Sequence, residues 1–274
     1  MAKYGIPYQG SKSAIADSII SVLPRGKRFV DLFGGGFAMS ECALISGKYK
    51  AVYYNELNPL LPALIEKAIR GDYSYERQKP KWISREEFDQ KKDQDGYIKY
   101  IWSFSNSGKN YLFSKELEPL KKSLHDFVVF GIKDEYLCKN FADIDKYITG
   151  EDIRVRRILL GRYMKMKQQS RAFRELQQLE RLELHCGSYE DYEYQDGDVV
   201  YCDPPYEGTA DYGKGFNSQR FYEWVLSRPY QVFFSSYKIS DKRLKMVWAK
   251  GKANLMNGAR SQKANYECLY SNRG

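Results

Sequence analysis

Three consecutive glycines sit between two short apolar runs, and this arrangement restricts the fold more than any other feature of the chain. "RFVDLFGGGFAMSECALISG", Arg28 to Gly47, predicts a strand over Phe29 to Leu32, a glycine turn, and a helix stopped at Gly47. "KAVYYNELN" then predicts a second strand from Ala51 to Tyr54, closing on Asn55 and Glu56. Strand, glycine turn, helix, strand is a βαβ unit, which makes the two strands parallel neighbours. Ahead of it, Ile15, Ile19 and Val22 in "AIADSIISVLP" have helical spacing, and Pro24 ends the segment.

A second stretch of the same texture begins at "DGDVVYCDPPY". It continues with a helix near Ser218 to Leu226 and a strand "YQVFFSS", and ends in the strand-like "KANLM" and "YECLYSN". Between the two stretches, from about Gly71 to Leu184, charged and aromatic residues dominate and no further glycine turn follows a strand. The expected class is therefore α/β, with a mostly parallel sheet split in sequence by an insertion. Residues 1–70 and 186–274 form the sheet domain and 71–185 the inserted, mostly helical domain. "DIRVRRILLGRYMKMKQQSRAFRELQQLER" is rich in helix formers. From Arg154 to Arg181 it carries nine Lys or Arg against two Glu, which suits either a solvated helix face or a surface that follows phosphates.

Ligand sites in such sheets lie beyond the carboxyl ends of the strands. Glycines directly after a strand let the backbone turn sharply and approach a ligand, usually a nucleotide. Glu56, at the end of the next strand, stands where a carboxylate accepts hydrogen bonds from ribose hydroxyls. Together they predict an adenosine-containing cofactor. "DPPY", Asp203 to Tyr206, adds a stiff cradle, because the prolines fix their own φ angles and contribute no N–H donors. The Asp203 carboxylate and Pro204 carbonyl offer two acceptors beside the Tyr206 ring, which suits a planar base with an exocyclic amine. Accepting both amine hydrogens localises the nitrogen lone pair, and a preorganised carboxylate stabilises the positive charge that develops as nitrogen attacks.

Composition narrows the partner and the compartment. A net charge of +9, with 24 Tyr, 14 Phe and 4 Trp interleaved, suits a partner rich in phosphates and bases. Cys42, Cys138, Cys186, Cys202 and Cys268 are widely spaced, which argues for a reducing compartment and against a zinc site or disulfide scaffold. His125 and His185 are the only histidines, so little material exists for histidine catalysis, and no metal is expected. No apolar run has the length of a membrane span and no signal-peptide core opens the chain, so a cytoplasmic protein without a membrane partner is expected.

The motifs together resemble those of the Dam-type N6-adenine DNA methyltransferases, the D12 class in its alpha-group order. "YGIPYQGSKSAIADSIISVLP" resembles the N-terminal cofactor motif, with Tyr8 where Trp is frequent and Lys12 in the lysine position. "FVDLFGGGFAMS" resembles the glycine motif, "NELN" the acidic motif with Glu56 for the commoner Asp, and "DPPY" the catalytic motif. "IWSFSNSGKNYLF", Ile101 to Phe113, looks like a segment of phage-borne members, whose compartment is the bacterial host cell. The resemblance implies a Rossmann-like methyltransferase sheet using S-adenosyl-L-methionine, with an inserted target-recognition domain.

It further implies a cofactor side formed by Tyr8, Lys12, Asp31, Phe33, Gly34, Gly36 and Glu56, bordered by Asp203. Asp203, Pro204, Pro205 and Tyr206 form the catalytic side. Arg154, Arg156, Arg157, Arg162, Lys165 and Arg171 are the expected DNA contacts. The reaction implied is methyl transfer to N6 of a flipped adenine in double-stranded DNA at a specific site, with no obligate protein partner. An RNA adenine methyltransferase and a nucleic-acid-binding relative without activity are alternatives that the residues leave open. Methylation of a protein Gln amide pairs with Asn at the first motif position, which Asp203 disfavours. The target sequence, a GATC preference included, is not legible.

Overall fold

A computed structural model describes residues 3–73, 81–141, 179–206, 215–237, 239–252 and 265–273. The chain divides into two compact units, one of Met1–Gly5, Gly10–Pro62 and Gln177–Gly274, the other of Ile6–Gln9 and Ala63–Leu176.

The first unit is built on a seven-stranded sheet. Its strands are β1 (Arg28–Asp31), β2 (Ala51–Glu56), β3 (Leu182–Cys186), β4 (Asp198–Cys202), β5 (Val232–Ser236), β6 (Lys245–Lys252) and β7 (Asn265–Ser271), in the order β3-β2-β1-β4-β5-β7-β6. The first five are parallel, and β7 runs antiparallel to both of its neighbours. This is the expected α/β sheet, Rossmann-like in its parallel part. Strand order reverses between β1 and β4, so the crevice at their carboxyl ends is the topological switch point where such sheets bind ligands.

Side chains alternate across the sheet. Val30, Val200, Cys202, Val232 and Phe234 share one core with Phe221, Trp224 and Val225 of a helix, Ser218–Ser227. On the neighbouring positions Phe29 stacks on Tyr201 and packs against Tyr49. Burial on both faces explains why the central strands read as continuous apolar runs. Around them lie helix α1 (Ala16–Val22) and helix α2 (Ala38–Ile45). α2 is buried along Ala38 to Leu44, as a crossover helix pressed onto the sheet must be. The Lys48 ammonium donates to the carbonyls of Ile20, Ser21 and Leu23, satisfying orphan acceptors at the end of α1.

Two strands differ from the sequence expectation. Leu182–Cys186, all but Cys186 placed above within the insertion, is an edge strand of the sheet beside β2. The strand Lys245–Lys252 was not expected, while the strand-like "KANLM" lies, beyond Lys252, outside the described residues.

In the second unit the described residues are mostly helical. Helix α3 (Leu60–Ile69) leads into it, followed by α4 (Arg85–Lys91), α5 (Glu118–Phe130) and α6 (Glu135–Asn140). The Ser84 hydroxyl accepts from Glu87 N–H (3.1 Å), a cap three residues ahead of an acidic side chain. α5 ends where Gly131 takes φ 72°, so that the N–H groups of Gly131 and Ile132 reach back to Phe127 and Asp126. Ile83, Phe88, Ile98, Ile101, Trp102 and Tyr111 form this unit's own small core. Among the described residues no helix is long and apolar enough to cross a membrane.

Candidate active site

The carboxyl ends of β1, β2 and β4 carry Asp31, Glu56 and Asp203, each delivered by its strand to the same edge of the sheet. β1 turns directly into the glycine run. Gly34 N–H donates to Asn55 O (2.9 Å), Phe37 N–H to Gly34 O (2.9 Å), and Gly35 takes φ 47°. A Cβ on Gly34 would lie 2.0 Å from Tyr54 Cε2, so only glycine fits against that ring. Tyr54 holds the turn from beneath by donating its hydroxyl to Gly35 O (2.8 Å). Phe37 opens α2 at φ 69°, an unusual conformation for a bulky residue and one that marks a constrained turn.

Glu56 is tied into this turn: its Oε2 accepts from Gly35 N–H (2.9 Å) and its Oε1 from Asn58 N–H (3.0 Å). Burial pushes its carboxyl upward, and these backbone donors counter the push. Asp31 is almost wholly buried. Its Oδ2 accepts from the Ser40 hydroxyl (2.7 Å), while Oδ1 has no hydrogen-bond partner among the described residues. Burial, aided by the charges of Asp203 and Glu56, raises the Asp31 carboxyl to about 7. Phe33 stacks on Tyr189 (5.1 Å) and meets Phe216 and Phe221 edge-on, so an aromatic wall stands beside the glycine turn.

Asp203 follows β4 and is fixed by Lys12, which approaches from a short 3-10 turn, Lys12–Ala14. That turn is tethered by the Ser13 hydroxyl, which accepts from Tyr4 N–H (2.9 Å). Lys12 Nζ lies 2.7 Å from Asp203 Oδ1, 3.5 Å from Glu267 Oε1 and 4.8 Å above the Tyr206 ring. The Tyr206 hydroxyl donates to Glu267 Oε1 and sits 3.3 Å from Asp203 Oδ1. The Tyr237 ring meets that of Tyr206 edge-on at 4.7 Å. Burial pushes the Lys12 ammonium down, but the charges of Asp203 and Glu267 outweigh it and hold the group above its ordinary range. Burial raises Asp203, and Lys12 offsets part of the rise. Asp203 stays 18 % exposed, and its Oδ2 accepts no hydrogen bond among the described residues.

Lys12, Asp31, Phe33, Gly34, Gly36, Glu56, Asp203, Pro204, Pro205 and Tyr206 thus all belong to the sheet unit, most of them at its carboxyl edge. Tyr8 belongs to the other unit, where its ring meets Tyr100 edge-on (5.2 Å). Arg154, Arg156, Arg157, Arg162, Lys165 and Arg171 lie outside the described residues. Sequence reasoning missed Glu267, Ser40, Tyr54 and Tyr189. Glu267 left one trace, a single charge in the otherwise uncharged strand "NYECLYS".

A carboxylate with one open oxygen, backed by an ammonium and placed across a switch point from a glycine turn and two further carboxylates, is equipped to polarise an amine beside a nucleotide-like ligand. No curated protein matches the chain. Residues 8–147 and 155–243 match the D12 class N6 adenine-specific DNA methyltransferases, and over most of its length the chain belongs to that family.

Proposed function

We propose that the protein transfers a methyl group from S-adenosylmethionine to N6 of an adenine flipped out of duplex DNA, at a recurring target sequence in the cytoplasm. The observation that carries this reading is Asp203, whose Oδ1 is held by Lys12 while Oδ2, which accepts no hydrogen bond among the described residues, is the proposed acceptor for a substrate amine. Asp203 and the Pro204 carbonyl orient the amine, and the carboxylate offsets the positive charge that grows on nitrogen. Lys12 and Tyr206 hold Asp203 in register. Flipping the base costs a few kcal/mol, which contacts to the base in the pocket repay.

The residues opposite fit the cofactor. Asp31 offers a buried oxygen in need of a donor, Glu56 keeps further lone pairs for ribose hydroxyls, and the glycine turn admits close approach. Phe33 supplies an apolar wall, and Tyr8 is assigned to the same ligand by the family motif alone. When bound, S-adenosylmethionine supplies a methyl group already activated by its sulfonium. The inserted segment is the proposed recognition domain, with Arg154, Arg156, Arg157, Arg162, Lys165 and Arg171 as its DNA contacts.

Long-read modification sequencing of DNA from a methylation-free host expressing the protein tests the reading, with Asp203→Ala as control. N6-methyladenine at one recurring motif, absent in the control, is expected. Soluble, cofactor-binding protein that leaves the DNA unmodified would count against it.

Asp31 adds a test that does not depend on turnover. Its folded value, about 7, lies above that of an unfolded Asp, so its favourable contribution to stability is complete below about pH 4 and is lost as pH rises through about 7. A cofactor donor placed on Oδ1 favours the ionised form and lowers that value. Binding between pH 6 and 7 is then expected to release a proton and to tighten as pH rises. Titration calorimetry in phosphate and in Tris should give heats that differ by the buffer ionisation enthalpies. Asp31→Asn should erase the difference, weaken binding, and stabilise the unliganded protein at pH 8 by up to about 4 kcal/mol. Buffer-independent heats for the wild type would remove Asp31 from the cofactor site.

A further inference from the structure

We propose that Glu267 is a positioning residue for methyl transfer, a buried carboxylate that fixes the Tyr206 hydroxyl and shares the Lys12 ammonium so that Asp203 keeps a net negative charge toward the substrate amine. The inference rests on the function proposed above and deepens it.

The topology explains how a residue so distant in sequence reaches the site. β7 is antiparallel, so its first residues lie where the parallel strands end. Ser236 at the end of β5 pairs with Cys268, which places Glu267 one residue beyond, at the level of Tyr237. There the Glu267 side chain is 1 % exposed. A carboxylate removed from water this completely is costly unless charges and donors meet it. Its Oε1 meets the Tyr206 hydroxyl and Lys12, two groups that also hold Asp203.

Charge counting gives the arrangement its purpose. Lys12 facing Asp203 alone would form a neutral pair, with the ammonium drawn fully onto the carboxylate that must polarise the amine. With Glu267 present, two carboxylates face one ammonium, and one negative charge is left over. The open oxygen of Asp203 is its outlet, because Glu267 is sealed from solvent. The hydroxyl tether has a second effect. It fixes the ring that follows Pro204 and Pro205, so the backbone carrying the Pro204 carbonyl is held from both sides. The charged and titratable groups facing Asp203 are Lys12, Glu267 and Tyr206, with Asp31 and Tyr201 within electrostatic reach. Among these, Glu267 is the partner whose negative charge adds to the effect of burial on Asp203 while donating nothing to it.

The test compares the full-length wild type with Glu267→Gln, which keeps an acceptor for Tyr206 but loses the charge, and Glu267→Ala, which loses both. In single-turnover methylation of genomic DNA, Glu267→Gln is expected to be roughly 30- to 100-fold slower. The KM for DNA and the calorimetric Kd for S-adenosylmethionine should stay within about twofold. The acid limb of its kcat profile should move to lower pH, because a like charge beside Asp203 has been removed. Glu267→Ala should be slower again, and Glu267→Asp should recover at least about a third of the wild-type rate. Tyr206→Phe combined with Glu267→Gln should cost less than the product of the two single effects, as residues acting together do. Unchanged turnover in Glu267→Gln, or losses in rate and cofactor affinity that run in parallel, would overturn the assignment. If Glu267→Gln does not fold, failure of Glu267→Asp to restore the rate overturns it instead. Wild-type protein that methylates no DNA would overturn the underlying function and this inference with it.

Discussion

Asp203→Ala is expected to slow methyl transfer about 10³-fold and to leave a folded protein that still binds its cofactor. On the proposed mechanism the loss is large because the carboxylate would act where charge develops, in a site that leaves Asp203 only 18 % exposed. The fold survives because Lys12, the group most exposed to harm, keeps Glu267 at 3.5 Å as a second partner. The buried ammonium is therefore not orphaned, and the cost of several kcal/mol that usually follows removal of one member of a buried pair is reduced. Asp203→Asn separates charge from shape, since it keeps an acceptor and loses the negative charge. It should fall between the wild type and the alanine variant. Single-turnover rates, read beside circular dichroism and calorimetric Kd values, check these outcomes. A rate for Asp203→Ala within tenfold of the wild type would remove this residue from the chemistry.

Gly34→Ala has the second largest expected effect, and it acts through packing. The added methyl would sit 2.0 to 2.7 Å from three atoms of the Tyr54 ring, which is fully buried and anchored through its hydroxyl to Gly35 O. Either the ring shifts and releases the turn, or the turn rises and leaves its bonds to Asn55 and Phe37. Overpacking of this kind costs about 3 kcal/mol, a fall in Tm of roughly 6 to 10 °C for a domain of this size. Because the same backbone is the proposed approach to the cofactor, affinity for S-adenosylmethionine should drop at least about tenfold. Differential scanning fluorimetry with and without cofactor measures both effects. Adding Tyr54→Ala should make the pair less destabilised than the sum of the single variants, since the clash exists only when both side chains are present. Simple additivity would show that the turn yields by another route.

The sequence was most readable where local chemistry and sheet position agree. Phe29, Val30 and Val199 to Cys202 are buried, so they appear as unbroken apolar runs, and the acids, glycines and prolines that follow mark their carboxyl ends. Leu182–Cys186 escaped because it is an edge strand, where Glu183 and His185 remain partly in solvent and break the apolar pattern. Lys245–Lys252 escaped for the same reason, since edge strands carry lysines and interruptions that read as loop.

Residues that announce themselves by backbone demands, glycines in a turn and prolines beside an acid, were legible in the sequence and lie at the carboxyl edge of the sheet. Glu267 and Ser40 were not, because their meaning depends on partners brought together by folding, Lys12 and Tyr206 for one and Asp31 for the other. Whether the substrate is DNA or RNA was also beyond the residues, and the family match decides it in favour of DNA.

The antiparallel β7 has a consequence for how the enzyme comes into being. Lys12 and Glu267 are 255 positions apart, and they meet through a strand, β7, that pairs with β5 near the end of the chain. Contacts this distant form late, because the loop they close must first be paid for in entropy. During synthesis a ribosome releases the glycine turn, the inserted segment and the "DPPY" cradle long before the glutamate that steadies Tyr206. A growing chain can thus hold every recognisable motif and still lack a finished catalytic pocket. On the proposed mechanism the pocket is complete only once β7 has taken its place between β5 and β6.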